Sequence, residues 1–387
     1  MTGYLVLGAR SPAALEICRG LTRGGHTVFA ADSMSFPLAR WSRTVKSYFR
    51  LPAAVDDAEA YGAALAATVA ATGADVVIPT CEEVFHLSIA RRFLPESVTV
   101  LAEEIEKLRL FHDKFTFLRA ADGCGIGIPK TMLLRSRRRL EDSWERVMTD
   151  HDIVYKRVYS RFAEGTLLKP TLRQVDKLYP SPTVPWIAQE YIEGDENCCY
   201  AVAVGGRLTA ISVYRPLHRA GRGAGICFES VVSPAIEGFV RAFVERHAFS
   251  GQISFDFIVS AERGPFVIEC NPRATSGVHL LPEDTDWAAV FDGSVTVAAR
   301  PGAAKSMIGS AMASYGLKTA IRKGPSQWAA DFASAKDAIW SWNDLAPAAG
   351  QFVATAELVA RAVSKKQSAL ASTTADIEWN GDLPGTL

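Results

Sequence analysis

The segment Gln252–Arg273, QISFDFIVSAERGPFVIECNPR, constrains this chain most, because it sets an Asp on one expected strand and a Glu-x-Asn on the next. Alternation in Ile253–Val259 and in Phe266–Asn271 predicts two strands, and Glu262-Arg263-Gly264-Pro265 lies where a hairpin connection belongs. The period of two puts Glu269 and Asn271 on one face and Cys270 on the other, and Asp256 can join them from the neighbouring strand. Two carboxylates and an amide oxygen suit Mg²⁺, which takes oxygen ligands and commonly completes its shell with substrate phosphates; they suit zinc or iron poorly. Taken alone, the same residues also describe an edge hairpin with solvated acids. The rest of the chain must decide.

With 387 residues, 48% of them hydrophobic, the chain has room for two or three subdomains around substantial cores. Its 42 basic and 42 acidic residues cancel, so no global field favours nucleic acid or an anionic membrane. No apolar stretch approaches a membrane span and Met1 leads into a strand without a signal-peptide pattern, so a cytoplasmic location is expected. The seven cysteines contain no CxxC pair, and the adjacent Cys198 and Cys199 fall in an expected strand where their side chains point apart. Reduced, packed thiols are the expectation.

Residues 4–8 (YLVLG), a helical run to about Arg23, Gly24-Gly25 and the strand HTVFAAD form a β-α-β unit. Asp32 ends the second strand about where a ribose-binding acid would sit, but Gly8 lacks the partners of a GxGxxG fingerprint, which leaves the case for NAD weak. Helices around Asp57–Thr72 and Glu82–Arg92 and strands at Asp75–Pro79 and Ser97–Leu101 extend the pattern into an open parallel sheet. Helical segments Ala102–Leu108 and Lys114–Ala121 precede a connection at Cys124–Pro129. Beyond it lie a small α+β module to about Ile192, with a helix Leu140–Asp150 and strands at Ile153–Lys156 and Trp186–Gln189. A mainly antiparallel sheet follows, with strands Cys198–Val204, Leu208–Val213 and the hairpin, and with the helix Ala235–His247 against it. After about Pro301 the chain is Ala-rich and helical.

Lys114 and Lys156 flank the small module, and lysines on either side of a cleft can hold nucleotide phosphates as point charges in a chain that lacks GxxxxGK[ST]. Between them and the hairpin runs Trp186-Ile-Ala-Gln-Glu-Tyr-Ile-Glu-Gly-Asp-Glu196. Lys114, Lys156, QEYIEGDE, Asp256 and ECNPR in this order resemble the ATP-grasp superfamily, over about Leu110–Leu280. The resemblance implies an α/β and α+β fold: a Rossmann-like pre-ATP-grasp domain (1–110), as in carbamoyl-phosphate-synthetase-like members, an ATP-grasp domain (111–300) with a lid at about 128–192, and a helical C-terminal segment (301–387). It implies that Lys114 and Lys156 contact the α- and β-phosphates, that Gln189 and the backbone of Glu190 and Ile192 face adenine, and that Glu196 holds the ribose hydroxyls. Asp256, Glu269 and Asn271 would ligate Mg²⁺, with Mn²⁺ as the alternate ion, and Arg273 would stabilise the transferred phosphoryl group.

One departure concerns the loop over the triphosphate, usually glycine-rich in the family, whereas Tyr159–Gly165 holds one glycine. Ser160 and Arg161 are alternative donors there, against a solvated turn. Tyr214–Gly225 combines three arginines with glycines, and reads equally as a substrate clamp or a solvated hairpin tip; Arg215, nearest the strand end, is the catalytic candidate. Ser276 and His279 could reach substrate or cap a helix, and Arg10-Ser11-Pro12 reads more readily as a structural turn than as a ligand site.

The function implied is an ATP-dependent carboxylate–amine ligase acting through an acyl phosphate and releasing ADP and phosphate, with small-molecule carboxylate and amine partners and neither nucleic acid nor membrane. Bicarbonate or carbamate as the acid, a thiol as the acceptor, and a non-catalytic nucleotide-binding regulator are the alternatives. The Trp- and Ala-rich helices after residue 300 offer a homodimer interface, against ordinary packing within the chain.

Overall fold

Alternating strands and helices in the first hundred residues build a parallel sheet from β1 (Gly3–Leu7), β2 (Thr27–Asp32), β3 (Ser47–Arg50), β4 (Val76–Ile78) and β5 (Thr99–Val100), in the order β3-β2-β1-β4-β5. The computed structural model describes residues 1–147, 152–161, 165–221, 223–300, 302, 304–317, 320–321, 324–368 and 371–381. The expected helix end at Asp150, residues Phe162–Glu164 of the triphosphate loop and Arg222 of the arginine-rich segment lie outside these.

The order in which strands are added reverses between β1 and β4, which pair in parallel, and this opens a crevice at their carboxyl ends. Ser11 caps the helix Pro12–Arg23 by accepting from the Ala14 N–H, and Pro12 occupies its first turn, where a missing N–H costs nothing. Gly8 turns the chain at φ +69°, and a Cβ there would lie 2.5 Å from Thr80 Oγ1, so the ends of β1 and β4 approach through glycine alone. The edge strand β3 has no counterpart in the sequence reading; four residues are too few for a period to show.

The segment expected as the lid contains a second sheet, β6 (Thr131–Leu134), β7 (Ile153–Arg157), β8 (Leu167–Leu168) and β9 (Trp186–Glu190), in the order β6-β9-β7-β8. Leu134, Leu140, Tyr155 and Trp186 form its own small core.

The third and largest sheet contains β10 (Asp195–Val204), β11 (Arg207–Ala220), β12 (Ala224–Ser230), β13 (Gly251–Ser260), β14 (Gly264–Asn271), β15 (Val297–Ala298), β16 (Lys305–Met307) and β17 (Lys336–Asp337). Its path is β14-β13-β10-β11-β12-β16-β17, with β15 on β11. Phe255 and Phe257 point from β13 into an aromatic core with Phe239 and Phe243 of the helix Pro234–Arg246, at ring separations of 5.2–5.6 Å. Cys199 and Cys270 join that core. The opposite face sends Tyr200, Tyr214 and Phe228 toward Trp287 and the helix Pro12–Arg23. All seven cysteines are free, and Cys198 and Cys199 do point apart.

The segment Tyr214–Gly225 follows the hairpin reading: most of it is the hairpin of β11 and β12, in which Arg215 pairs across with Glu229. One expectation is corrected. The C-terminal segment is largely helical but also adds β16 and β17 to the third sheet. Its long helix, Ala346–Lys365, lies against the first domain, where Glu357 accepts from the Ser35 and Phe36 N–H groups at 2.8 Å. No helix among the described residues is long and apolar enough to cross a membrane.

Candidate active site

The hairpin of β13 and β14 places Asp256 directly opposite Glu269, with a bulge immediately beyond the pair. Because Phe255 and Phe257 are drawn into the aromatic core, Asp256 between them faces the other way, together with Glu269 and Asn271. The Asn271 amide donates to Asp256 Oδ2 at 3.4 Å, and Arg273 Nη2 donates to Asn271 Oδ1 at 3.4 Å. Cys198, on the adjacent β10, is paired with Asp256 in register, and its thiol is pushed well up, first by burial and then by the Asp256 charge.

Lys114 reaches the hairpin from another element. Asp113 caps the helix Lys114–Ala121 by accepting from the Phe115 and Thr116 N–H groups, which fixes Lys114 at its first position. The buried ammonium lies 3.2 Å from Glu269 Oε1 and donates to the carbonyls of Ser160 at 3.1 Å and Val158 at 3.4 Å. Lys156, on β7, is also buried. Burial pushes its ammonium down to about 8, with Lys114 acting the same way and Glu269 and Asp256 acting against it. Asp256 moves in the opposite sense: burial raises its carboxyl, and the Glu269 charge raises it further. Two lysines and two carboxylates therefore converge on one cleft.

The adenine and ribose candidates sit at the junction of lid and third sheet. Gln189 is buried on β9 and donates to Thr131 Oγ1 at 3.1 Å. The Glu190 N–H donates to the Lys130 carbonyl at 2.8 Å, while its carboxylate holds Arg263 at 2.7 Å and accepts from the Lys130 N–H at 3.1 Å. Ile192 is buried just beyond the strand. Glu196 opens β10 and pairs with Arg219 at 2.5 Å.

Arg215 is more than half exposed and is held by Glu229 at 2.5–2.7 Å. Arg219 of the same strand comes nearer the cleft: it grips Glu196, and its charge bears on Asp256. Ser276 and His279 lie in the short helical turn after the hairpin, where His279 faces Glu16 at 3.5 Å. Asp32 is fully engaged by Arg10 and the Met34 N–H, which leaves it no part in ribose binding. Sequence reasoning did not find Glu82, at the carboxyl end of β4. Its buried side chain accepts from Arg161 Nε with one oxygen, while the other, without a hydrogen bond, lies 3.8 Å from Arg273 Nη2. An acid just past a strand of the first sheet, at the reversal of strand order, was the signal available.

Among the described residues, no group of three or more His, Cys, Asp and Glu could hold a metal ion. Asp256, Glu269 and the amide oxygen of Asn271 do fit an ion that takes the rest of its shell from phosphates, since three oxygen donors share one face of the hairpin and burial, then the Glu269 charge, raise the Asp256 carboxyl.

No family model matches the sequence, and no curated protein matches it either. Solved structures do match in fold. N5-carboxyaminoimidazole synthetase from Staphylococcus aureus, complexed with ADP, superposes with a TM-score of 0.62 at 13% identity, over 84% of this chain and 86% of that one. An L-amino acid ligase from Bacillus licheniformis gives 0.59 at 14% identity, over 79% and 78%. The biotin carboxylase domain of the 2-oxoglutarate carboxylase from Hydrogenobacter thermophilus, solved with MgADP, ADP and bicarbonate, gives 0.57 at 12% identity, over 70% and 64%.

Proposed function

We propose, on the premise that the chain has the ATP-grasp fold, that it is an ATP-dependent ligase joining a carboxylate to an amine through an acyl phosphate, with release of ADP and phosphate. The observation that carries this reading is the convergence of Lys114, Lys156, Asp256 and Glu269 on one cleft, with Lys114 3.2 Å from Glu269.

In this reading Asp256, Glu269 and Asn271 hold Mg²⁺, which when bound neutralises charge on the β- and γ-phosphates. Lys114 and Lys156 hold the α- and β-phosphates as point charges from beneath the cleft. Gln189 and the chain from Glu190 to Ile192 line the adenine, and Glu196, released from Arg219, takes the ribose hydroxyls. The substrate carboxylate oxygen attacks the γ-phosphorus as the bond to ADP breaks. The amine nitrogen then attacks the acyl carbon and loses a proton, and phosphate leaves with its new oxygen. Arg273 bears the charge that develops on the transferred group. These steps call for position and charge rather than a protein nucleophile. That suits a cleft whose nearest thiol, Cys198, is held protonated.

The test is a mass-spectrometric product screen with ATP, Mg²⁺ and mixed acids and amines. The expected result is ADP, phosphate and a condensed product that appear only when acid and amine are both present, and that vanish with chelator. AMP and pyrophosphate with every acid would overturn the reading.

A further inference from the structure

The last described residues of the chain return to the first domain and reach the nucleotide cleft. Asp376 anchors them: its carboxylate takes Arg10 at 2.5 and 3.0 Å, Arg361 at 2.6 Å and the Ser33 hydroxyl. Burial alone would raise this carboxyl, but Arg10, Ser33 and Arg361 more than offset it and hold it far below the usual range. Trp379, three residues on, is buried, with its ring stacked on Phe85 at 4.9 Å and edge-on to Tyr159 at 5.8 Å.

Two contact routes run from this segment to Lys114. In the first, Tyr159 packs on Trp379 and donates to Asp113 Oδ2 at 3.4 Å, and Asp113 is the cap that fixes Lys114. In the second, Arg161 donates to the Trp379 carbonyl at 2.9 Å, to Asn380 Oδ1 at 3.2 Å, to Glu378 Oε2 at 3.3 Å and to Glu82. Arg161 adjoins Ser160, whose carbonyl accepts from Lys114. The loop Val158–Arg161 is thus held from above by the C-terminal segment and grips Lys114 from below.

We propose that Asp376–Asn380 is a strap that fixes the Val158–Arg161 loop and Lys114 for the nucleotide, with Trp379 and Arg161 as its positioning residues. This rests on the reading of Lys114 as a phosphate ligand. Coupling of this kind is reciprocal: if the docked strap favours nucleotide, then nucleotide favours the docked strap by the same factor. A segment that only packs would affect folding and leave the affinity of the folded protein alone.

The experiment measures the MgADP dissociation constant by calorimetry for the full-length protein and for Trp379→Leu, Trp379→Phe and Arg161→Met, each shown to be folded by near-ultraviolet circular dichroism. Hydrogen exchange of amides 376–381 is followed with and without MgADP. The strap predicts that Trp379→Leu and Arg161→Met each weaken MgADP about tenfold, that Trp379→Phe stays within about twofold, and that MgADP slows exchange in the segment. If Trp379→Leu does not fold, Arg161→Met carries the same test. Affinities that match the unmodified protein, with exchange unaffected by MgADP, overturn the strap alone. An unmodified protein that binds no MgADP overturns the nucleotide reading and the strap with it.

Discussion

Glu269 faces Asp256 across the hairpin and Lys114 at 3.2 Å. Glu269→Gln preserves its shape and removes its charge, and turnover should fall at least about 100-fold, since even the outer partners of a metal ligand cost 10–100-fold. Steady-state kinetics beside a denaturant midpoint will check this, and turnover like that of the unmodified protein contradicts the metal role. Lys156 gives a pH signature. Phosphate is held by the ammonium and not by the neutral amine, so with the group pushed down to about 8, MgADP affinity should fall as pH rises through that value. Lys156→Arg should remove the inflection, because a guanidinium keeps its charge there; a calorimetric pH series that is flat through this range contradicts it. At this scale the common face of Asp256, Glu269 and Asn271 was legible because a period of two fixes it. Arg219 was not, because two register irregularities in β11, around His218, break the extrapolation from Tyr214 that favoured Arg215. Glu82 was also hidden, since its partner Arg161 lies 79 positions away in the chain.

Between lid and third sheet, Gly194 is the narrowest point of the element layout. A Cβ there would lie 2.2 Å from the Val259 carbonyl oxygen and 2.8 Å from the Ser260 nitrogen, and backbone cannot swing aside as a side chain can. Gly194→Ala should cost about 1–3 kcal/mol, as overpacking does, and should disturb the chain between Gln189 and Glu196 that is proposed to line the nucleotide. A lower denaturant midpoint together with weaker MgADP binding is expected; an unchanged midpoint contradicts the close packing. Strands with strong alternation, such as β13 and β14, were readable from the sequence with little error. The β11–β12 hairpin was one of two readings of its segment, and its strands run further than expected, because Gly221, Gly223 and Gly225 look like loop chemistry when only the turn needs it, with Gly221 at φ +68°. Among the short strands, β4 and β5 were read from their alternation with helices, whereas β3 and β17, which have no such setting, were not.

For the whole molecule, order along the chain conveyed more than composition did. Lys114, Lys156, Gln189, Glu196, Asp256, Glu269 and Asn271 lie on six elements, and their succession was visible in the sequence. The return of the C-terminal segment to the first domain was not, because Asp376 finds Arg10 across 366 positions and Trp379 finds Phe85 by shape rather than by period. Such closure couples domains that sequence reasoning treats one by one. The central claim is that a substrate carboxylate attacks the γ-phosphorus of ATP, and the most direct test is isotopic. With the carboxylate substrate found by the product screen labelled with ¹⁸O, turnover in the presence of Mg²⁺ and amine should carry the label from the carboxylate into inorganic phosphate, alongside ADP. Phosphate free of label, or label in AMP with release of pyrophosphate, would contradict it.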